Sequence, residues 1–286
     1  MVTQSNPLVS VLMTAYNREK YIQAAIESVL ASTWQQFELI IVDDRSVDET
    51  VSIARRYEQQ DLRVKVYVND TNIGDYPNRN KAASYALGKY LKYVDADDYI
   101  YPWGLQLLVE MMERNPEAGW GLCSLIQIVE KPYPFVLQPK EAYEQHYFGT
   151  GLFHKAPLSS IIRKDVFEIA GGFVPQRMTG DFEMWHRLGL TNPVLLMPDG
   201  IVWYREHSEQ EVKSRQLFLK QYELIMLKYL NHHQCPLTAK QINTIKARRN
   251  KQLVRFMMAD LMRFRFSGFY DNLKTWLFTK KQSALS

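Results

Sequence analysis

The residues whose types and spacing most clearly suggest chemistry are three carboxylates close together in the chain, Asp95, Asp97 and Asp98. They directly follow an apolar run at residues 90–94, which is typical of a buried strand. Neighbouring carboxylates repel one another, so three of them at a strand end favour a bound cation. Mg²⁺ or Mn²⁺, which take oxygen ligands, would meet that need together with substrate phosphates. The segment is equally compatible with an acidic turn in which Asp98 caps the following helix.

Strands and helices are predicted to alternate along the first hundred residues. Four apolar runs predict strands, with amphipathic helices between them, at residues 9–13, 37–42, 64–68 and 90–94. Such alternation implies right-handed crossovers and a mostly parallel sheet, whose ligands bind at the carboxyl ends of the strands. Asp43 and Asp44 follow the second strand, so we expect them at the same edge as residues 95–98.

The remaining pattern is less regular. It predicts strands at 120–129 and 158–163, a long loop at 131–151, and a helix that opens with Gly180 and Asp181. Ser46, three residues ahead of Glu49, predicts a capping box at the start of a helix in the first half. The sequence contains neither a GxGxxG fingerprint after the first strand nor a P-loop motif, which argues against an ordinary dinucleotide fold and a P-loop enzyme.

Charge divides the chain into an acidic body and a basic tail. Residues 1–208 carry 20 Lys and Arg against 26 Asp and Glu, whereas residues 209–286 carry 15 against 5. The tail is predicted to be helical, and its interleaved basic and aromatic residues are typical of a segment on an anionic membrane surface. A helical subdomain or a homodimer contact explains the same pattern. With no recognisable module, we expect no nucleic-acid binding.

The cysteines and the N-terminal residues indicate the cellular compartment in which the protein is expected. Cys123 and Cys235 have no disulfide-framework or zinc-site spacing, which favours a reducing cytoplasm. The apolar stretch at residues 8–13 is too short for a signal peptide or a membrane span. We therefore expect a cytoplasmic protein, with the inner face of the membrane as a further possible location.

Short motifs occur in an order that resembles the family 2 glycosyltransferases over roughly residues 7–210. They lie at residues 14–17, 43–44, 79–80, 95–98, 180–185 and 204–207. The resemblance implies the GT-A fold, an α/β architecture with a Rossmann-like, mostly parallel sheet flanked by helices and, here, a helical C-terminal extension. It also implies an inverting enzyme that moves a sugar from a nucleotide donor to an acceptor, usually with a divalent metal.

The resemblance also implies which residues bind the donor, namely Thr14, Ala15, Tyr16, Asn17, Asp43, Asp44, Arg79, Asp95 and Ala96. Tyr16 is expected to stack near the base, and Asp44 to accept a hydrogen bond from its N3–H. A uracil offers that donor, and a buried carboxylate rejects a base that lacks it, so a UDP-sugar is favoured. Asp97 and His207 are expected to hold Mn²⁺ or Mg²⁺.

Asp181 resembles the general base of the family, which deprotonates the acceptor hydroxyl opposite the leaving diphosphate. Such a base contributes about 10²- to 10⁴-fold to the rate. Other interpretations stay open: Asp181 could simply favour the first turn of its helix, and His207 could be a structural histidine. Tyr16 and the pair Asp43 and Asp44 could be turn residues, and Arg79 an exposed helix charge. The sequence departs from the usual family pattern at Gly180, where many members have an acid, and at the bulkier residues 75–78.

The resemblance suggests a division into a catalytic domain at residues 1–208 and a basic helical extension at 209–286. Within the first, the nucleotide-sugar half would cover about residues 1–100 and the acceptor half 101–208. The expected acceptor is a saccharide or a lipid-linked molecule, as in the synthesis of envelope polysaccharides.

Two rival functions are weighed against a transferase. A sugar-phosphate nucleotidylyltransferase would show a glycine-rich, basic loop after the first strand, where this chain has residues 14–18. A non-catalytic nucleotide-sugar-binding or scaffold protein is disfavoured by the presence of both Asp97 and Asp181, and a turnover assay separates the two.

Overall fold

The structure is a computed structural model that describes residues 8–125, 131–206 and 218–262, together with positions 268, 270, 272–274, 276 and 277. The strands of its first half are β1 (Val9–Ala15), β2 (Phe37–Asp43), β3 (Val64–Val68), β4 (Tyr90–Tyr93) and β5 (Tyr99–Ile100). The helices there are α1 (Ile22–Leu30), α2 (Thr50–Gln60), α3 (Asp75–Ser84) and α4 (Gly104–Arg114).

The later part of the chain adds strands to the same sheet and places further helices around it. The strands are β6 (Trp120–Leu125), β7 (Phe135–Leu137), β8 (Ser160–Arg163), β9 (Val194–Pro198) and β10 (Val202–Trp203). The helices are α5 (Pro139–Phe148), α6 (Lys164–Ile169), α7 (Gly180–Gly189), α8 (Leu219–Leu230) and α9 (Ala239–Met262).

One eight-stranded sheet runs through the described part of the molecule in the order β3-β2-β1-β4-β8-β6-β9-β7. The first four strands of the chain pair with one another in parallel, as the alternation predicts. β8 runs antiparallel to both β4 and β6, which makes the sheet mixed. The side chains of β1, β2 and β4 are buried on both faces of the sheet, because helices cover both. Their carboxyl ends therefore meet at one edge, where the acidic residues lie.

Two sequence-based predictions about local structure are wrong. Residues 131–151 are not one long loop, since they contain β7 and α5. β7 is too short to show an alternation of apolar and polar residues. The only sequence signals for α5 are Pro139 and a capping box between Gln138 and Glu141. The capping box predicted from Ser46 does not form either: α2 begins at Thr50, and Ser46 serves another role in the site.

The C-terminal helices α8 and α9 pack on the rest of the described structure. Apolar side chains of α8, among them Ile225, Leu227 and Tyr229, belong to the same buried cluster as Trp185 of α7. The proposed domain boundary at residues 208 and 209 lies outside the described residues and stays a prediction, as does the part of the predicted strand at residues 126–129. Among the described helices, we find none that combines the length and the apolar character needed to cross a bilayer.

Candidate active site

A cavity of about 850 Å³ opens at the carboxyl edge of β1, β2 and β4. Eight of the donor, metal and base residues expected from the family resemblance line it, together with Asp98. Four come from the ends of β1 and β2, namely Thr14, Ala15, Tyr16 and Asp44. Four come from α3, from the segment after β4 and from α7, namely Arg79, Asp95, Asp97 and Asp181. The described structure therefore brings six of the predicted donor residues, the predicted metal ligand Asp97 and the predicted base Asp181 to one place.

Three further predicted residues do not line this cavity, and one lies outside the described residues. Asn17, Asp43 and Ala96 are absent from the cavity wall. Asp43 is buried and accepts hydrogen bonds from the backbone N–H and the hydroxyl of Ser46, at 2.8 and 2.5 Å. Asn17 donates its backbone N–H to the Ser46 hydroxyl, so these residues fix the loop that presents Asp44. His207 falls in the undescribed segment 207–217.

Asp44 anchors the loop that forms one wall of the cavity. Its Oδ1 accepts hydrogen bonds from the Asn69 amide and the Ile73 backbone N–H, both at 2.8 Å. Its Oδ2 accepts one from the Gly74 N–H, also at 2.8 Å. A carboxylate can accept about four hydrogen bonds, so these three leave one acceptor position on Oδ2. That position suits a single imide donor of the kind predicted for the base.

Arg79 is a buried cation between two carboxylates. Its Nη1 donates to Asp95 Oδ1 at 2.6 Å, and its Nε lies 2.8 Å from Asp75 Oδ1, although that N–H does not point at the oxygen. The two carboxylates hold the guanidinium against the cost of burial, and together they raise the pKa of Arg79. The side chain of Arg79 is only 8% exposed, so the alternative interpretation of Arg79 as an exposed charge on a helix is wrong.

Arg18 and the backbone of Arg205 contact the remaining carboxylates after β4. Asp97 Oδ2 accepts from Arg18 Nε at 2.9 Å. The backbone N–H of Arg205 donates to Asp98 Oδ1 at 2.9 Å, and its Nε donates to the Asp97 carbonyl. Burial, followed by the charge of Asp95, raises the pKa of Asp98 to about 8. The mutual repulsion inferred from the sequence is therefore present, and Arg79 and Arg18 compensate the charges of Asp95 and Asp97.

Whether these residues fit a divalent cation can be judged from their donor chemistry. Within the described ranges, no three His, Cys, Asp or Glu side chains converge as a complete metal cage. Asp97 is a hard oxygen ligand that is 14% exposed and lines the cavity. One carboxylate completed by substrate phosphates and water is an ordinary arrangement for Mg²⁺. Asp97 fits that arrangement, provided that Arg18 yields its place on the carboxylate to the metal.

Asp181 lies at the N-terminus of α7, where the helix dipole and free N–H groups favour an anion. Its Oδ1 accepts the Phe182 N–H at 2.7 Å, and the Tyr76 side chain hydrogen-bonds to the carboxylate. Burial is the largest influence and raises the pKa of Asp181 to about 6 in spite of these hydrogen bonds. A base with a pKa near the working pH is well suited to accept a proton from a hydroxyl.

Gly180 and Tyr76 are packed so closely that the two positions depend on each other. A Cβ on Gly180 would lie 2.8 Å from three carbon atoms of the Tyr76 ring, which is closer than any real contact. The Tyr76 ring is itself buried and packs on Phe173, with ring centroids 5.4 Å apart. The unusual glycine before Asp181 therefore makes room for the bulky residue that hydrogen-bonds to Asp181.

Tyr76→Phe tests this arrangement through the pH dependence of turnover. The Tyr76 hydroxyl lowers the pKa of Asp181, so its removal raises that pKa further above its ordinary value. We expect kcat/KM to rise with pH up to about 6 in the wild type, because the predicted base must be ionised. This acidic limb of the pH profile should move to higher pH in the variant. Tyr67→Phe, at a half-buried ring outside the cavity, is the control. An acid limb that stays in place would show that the hydroxyl does not act on Asp181.

Several residues of the site were missed by sequence reasoning. Arg18 directly follows the first motif, so its position was a usable signal, but its partner is 79 residues away. Tyr76 stands out in the sequence only as one of the bulky residues at 75–78, with no sign of its contact with Asp181. His154 and Tyr222 line the cavity from segments in which no motif was recognised. Nothing in the sequence pattern marks these two residues, because only the fold brings them to Asp181.

Comparison with known proteins places the chain in a family. The model of glycosyl transferase family 2 matches residues 10–170, and the chain therefore belongs to that family. An uncharacterized glycosyltransferase of Haemophilus influenzae is 36% identical over 226 residues, covering 71% of this chain and 67% of the relative. An uncharacterized glycosyltransferase of Methanocaldococcus jannaschii is 40% identical over 111 residues, a match that covers 38% of this chain and 38% of the relative. A Bacillus subtilis protein named as a teichuronic acid biosynthesis glycosyltransferase is 40% identical over 115 residues, or 40% of this chain and 46% of that protein. The last two matches span less than half the length of the relatives.

Solved structures confirm the predicted GT-A fold. S. aureus TarS 1–349 in complex with UDP-GlcNAc matches with a TM-score of 0.70 at 19% identity, covering 97% of this chain and 83% of that one. The mannosyltransferase PcManGT from Pyrobaculum calidifontis, in complex with GDP-Man and Mn²⁺, matches with a TM-score of 0.60 at 16% identity. That match covers 79% of this chain and 63% of the other. At such identities the likeness concerns the fold, and the donors belong to those proteins.

Proposed function

We propose that this protein is an inverting glycosyltransferase that moves a sugar from a nucleotide donor, a UDP-sugar, to a saccharide or lipid-linked acceptor. The observation that carries the proposal is the position of Asp181, whose pKa is raised to about 6, in the same cavity as Asp44, Asp95 and Asp97. A base and a set of residues suited to a nucleotide and its phosphates thus share one site. The TarS structure with UDP-GlcNAc supports the choice of UDP, while GDP-Man in PcManGT makes GDP the alternative.

In the proposed mechanism, the chain orients the donor and removes a proton from the acceptor. Tyr16, whose ring is 46% exposed, stacks on the base, and Asp44 accepts from its N3–H. Asp95, fixed by Arg79, holds the ribose or the sugar. Asp181 accepts the proton of the acceptor hydroxyl as the new bond forms, and the nucleoside diphosphate leaves from the opposite face, which inverts the anomeric centre. No covalent intermediate with the enzyme is needed.

A divalent cation, held by Asp97 and in our proposal by His207, supplies Lewis-acid stabilisation of the leaving diphosphate when it is bound. The metal in PcManGT supports a divalent cation and leaves the choice between Mn²⁺ and Mg²⁺ open.

Asp97→Asn tests the metal site without an assay of turnover. The amide is a weaker and uncharged ligand for the metal. We therefore expect the increase in UDP affinity that Mn²⁺ produces to fall by at least about tenfold, the scale of losses seen when metal sites are altered. UDP binding without metal should change little, as measured by calorimetry. Asp70→Asn, on an exposed loop outside the cavity, is the matched control. A metal effect of full size in Asp97→Asn would assign the ligand elsewhere.

The proposed activity is tested by the release of UDP from a panel of UDP-sugars, with and without saccharide acceptors. We expect slow hydrolysis of one or a few donors, accelerated by an acceptor and lost in Asp181→Asn. Nucleotide binding without any turnover would favour the non-catalytic scaffold. Release of pyrophosphate from a nucleoside triphosphate and a sugar phosphate would favour a nucleotidylyltransferase.

We also propose that α9 lies on an anionic membrane surface. Val254, Met258, Leu261 and Met262 are 37–76% exposed and recur at the spacing of one helix face. Exposed Arg248, Lys251 and Arg255 lie on the adjoining part of that face. Apolar side chains flanked by cations suit the headgroups and acyl boundary of an anionic bilayer. Such a position would bring the site to a lipid-linked acceptor in the cytoplasm, and a homodimer contact is the competing use of the face.

Sedimentation with vesicles tests this surface. We expect binding to phosphatidylglycerol-containing vesicles, little binding to pure phosphatidylcholine, and release by salt because the attraction is screened. Met258→Glu should weaken binding by about tenfold, since it removes apolar contact and adds a repelling charge. Gln252→Glu, exposed on another side of α9, is the control. If the protein does not bind vesicles but forms a concentration-dependent dimer that Met258→Glu dissociates, this face of α9 is a homodimer contact.

A further inference from the structure

Beyond Asp181, the cavity continues onto a set of aromatic side chains that no part of the donor site uses. His154, Phe182 and Tyr222 all line this end. The rings of His154 and Phe182 are stacked, with centroids 4.9 Å apart and an angle of 11° between their planes. Tyr222 stands at 65° to Phe182, with centroids 5.0 Å apart. The three rings, which we name the aromatic shelf, therefore form a flat floor and a wall directly beside the proposed base.

The floor of the shelf is held rigidly from below. Phe182 is buried, and its carbonyl accepts a hydrogen bond from His186 Nδ1 at 2.8 Å. Because a carbonyl can only accept, Nδ1 carries the proton, and Nε2 accepts from the Tyr147 hydroxyl at 2.9 Å. Burial lowers the pKa of His186 to about 3, so this ring stays neutral at physiological pH. Behind it, His146 Nδ1 accepts the Phe153 N–H at 3.0 Å. The shelf thus rests on a neutral, hydrogen-bonded aromatic layer.

The wall of the shelf comes from the C-terminal part of the chain. Tyr222 lies on α8, and its hydroxyl donates to the Met178 carbonyl at 2.8 Å. α8 is tied to α7 through Glu183, a buried carboxylate that accepts from the Tyr229 hydroxyl and, at 3.1 Å, from Lys228. These contacts fix the C-terminal helix against the helix that carries Asp181. They also complete the site with a residue beyond the segment that the family model matches.

The shape and chemistry of the shelf indicate what it binds. His154 is exposed and lines the cavity, and its ring is stacked on the buried ring of Phe182. A sugar ring has one face of C–H groups, which packs on an aromatic face, and a rim of hydroxyls, which need polar partners. Arg177 and Asp181 line the same end of the cavity and supply such partners. The volume of about 850 Å³ lies near the upper end of the range for ligand pockets, about 300–1,000 Å³, and leaves room for a second ring beside a donor.

We propose that the aromatic shelf is the acceptor subsite and that the acceptor is a saccharide whose C–H face packs on His154 and whose reacting hydroxyl meets Asp181. This inference rests on the proposed function, since a hydroxyl beside Asp181 reacts only if a donor is bound across from it. It assigns acceptor recognition to residues that the donor site does not use, on both sides of Asp181 in the sequence.

The test measures acceptor binding separately from donor binding. Labelled protein with UDP and Mn²⁺ is applied to a printed array of oligosaccharides, and UDP affinity is measured in parallel by calorimetry. We expect the wild type to retain a limited set of glycans and His154→Ala to lose this retention by about tenfold, the scale of a lost aromatic contact with its buried area. UDP affinity should stay unchanged. Tyr222→Phe keeps the ring and should retain the same glycans, and Trp103→Ala, an exposed aromatic residue outside the cavity, is the matched control.

The outcomes separate this inference from the proposed function. Normal UDP binding with no glycan retained, or with glycans retained equally by His154→Ala, overturns the saccharide shelf and leaves the transferase. Glycan retention that depends on His154 in a protein that binds no nucleotide supports the shelf and overturns the transferase. Thermal unfolding of each variant shows that it is folded, and the exposure of His154 makes Ala tolerable there.

Discussion

Asp181→Asn is expected to reduce sugar transfer by about 10²- to 10⁴-fold while UDP binding is retained, because the amide cannot accept the proton of the acceptor hydroxyl. The substitution keeps the shape of the side chain at the start of α7 and its hydrogen bond from the Phe182 N–H. Nucleotide binding, which in our proposal depends on Tyr16 and Asp44, should be unaffected. Initial rates of transfer and a calorimetric titration of UDP measure the two effects separately. Transfer at the wild-type rate would show that Asp181 is not the base.

The same substitution should change stability in a way that depends on pH. The pKa of Asp181 is raised in the folded protein to about 6 from 3.8, so ionisation disfavours the folded state. The stability associated with the protonated form is present below about pH 4 and is lost as the pH rises through 6. Asp181→Asn should therefore raise the midpoint of thermal unfolding at pH 8 and leave it nearly unchanged at pH 4. Asp165→Asn, at an exposed carboxylate outside the cavity, is the control and should show no such difference.

Arg79→Met is expected to destabilise the protein by about 3 kcal/mol, the scale of a buried ion pair that loses one partner. Arg79 is nearly inaccessible to solvent and compensates Asp95, whose side chain is 19% exposed. Without the guanidinium, Asp95 faces Asp97 and Asp98 with no cation of its own. Urea unfolding measures the loss of stability, and weaker UDP binding should accompany it because Asp95 is no longer held in place.

A milder variant keeps this prediction testable if Arg79→Met does not fold. Asp75 is 43% exposed, so Asp75→Asn removes only a solvent-screened partner and should cost less than about 1 kcal/mol. A loss in Asp75→Asn as large as in Arg79→Met would mean that the pairing with Asp95 is not what stabilises the site. Unfolding of Arg79→Met at the wild-type urea concentration would likewise contradict a structural role for this arginine.

The sequence predicted the elements that carry the site better than the contacts within it. The strands predicted at residues 9–13, 37–42, 64–68 and 90–94 form, as does the helix that opens with Gly180. β1, β2 and β4 are buried on both faces of the sheet and therefore stand out in the sequence as near-continuous apolar runs. β7 and α5 lack such a pattern, so the sequence predicts a loop where they form. Local spacing predicts that Ser46 caps a helix, whereas its hydroxyl donates to the buried Asp43. Local rules identified residues that can form hydrogen bonds and not the partners that the fold provides.

The pairings around the carboxylates depend on distant parts of the chain. Asp97 meets Arg18 across 79 residues, and the backbone of Arg205 reaches Asp98 across 107. No spacing in a single sequence encodes such contacts, because they follow from how the strands are ordered in the sheet. The same reason hid Tyr222, which reaches the cavity only because α8 packs on α7. The family resemblance identified the motifs and gave no signal for Arg18 or Tyr222.

The most direct measurement is a calorimetric titration of UDP, GDP, CDP and ADP into the protein, with and without Mn²⁺. Our proposal predicts that UDP binds best, that Mn²⁺ strengthens its binding, and that Asp44→Asn reduces the preference for UDP. Tightest binding of GDP would keep the transferase and overturn the role given to Asp44 in selecting uracil. Failure of all four nucleotides to bind in the presence of Mn²⁺ would contradict the proposal that this cavity binds a nucleotide-sugar.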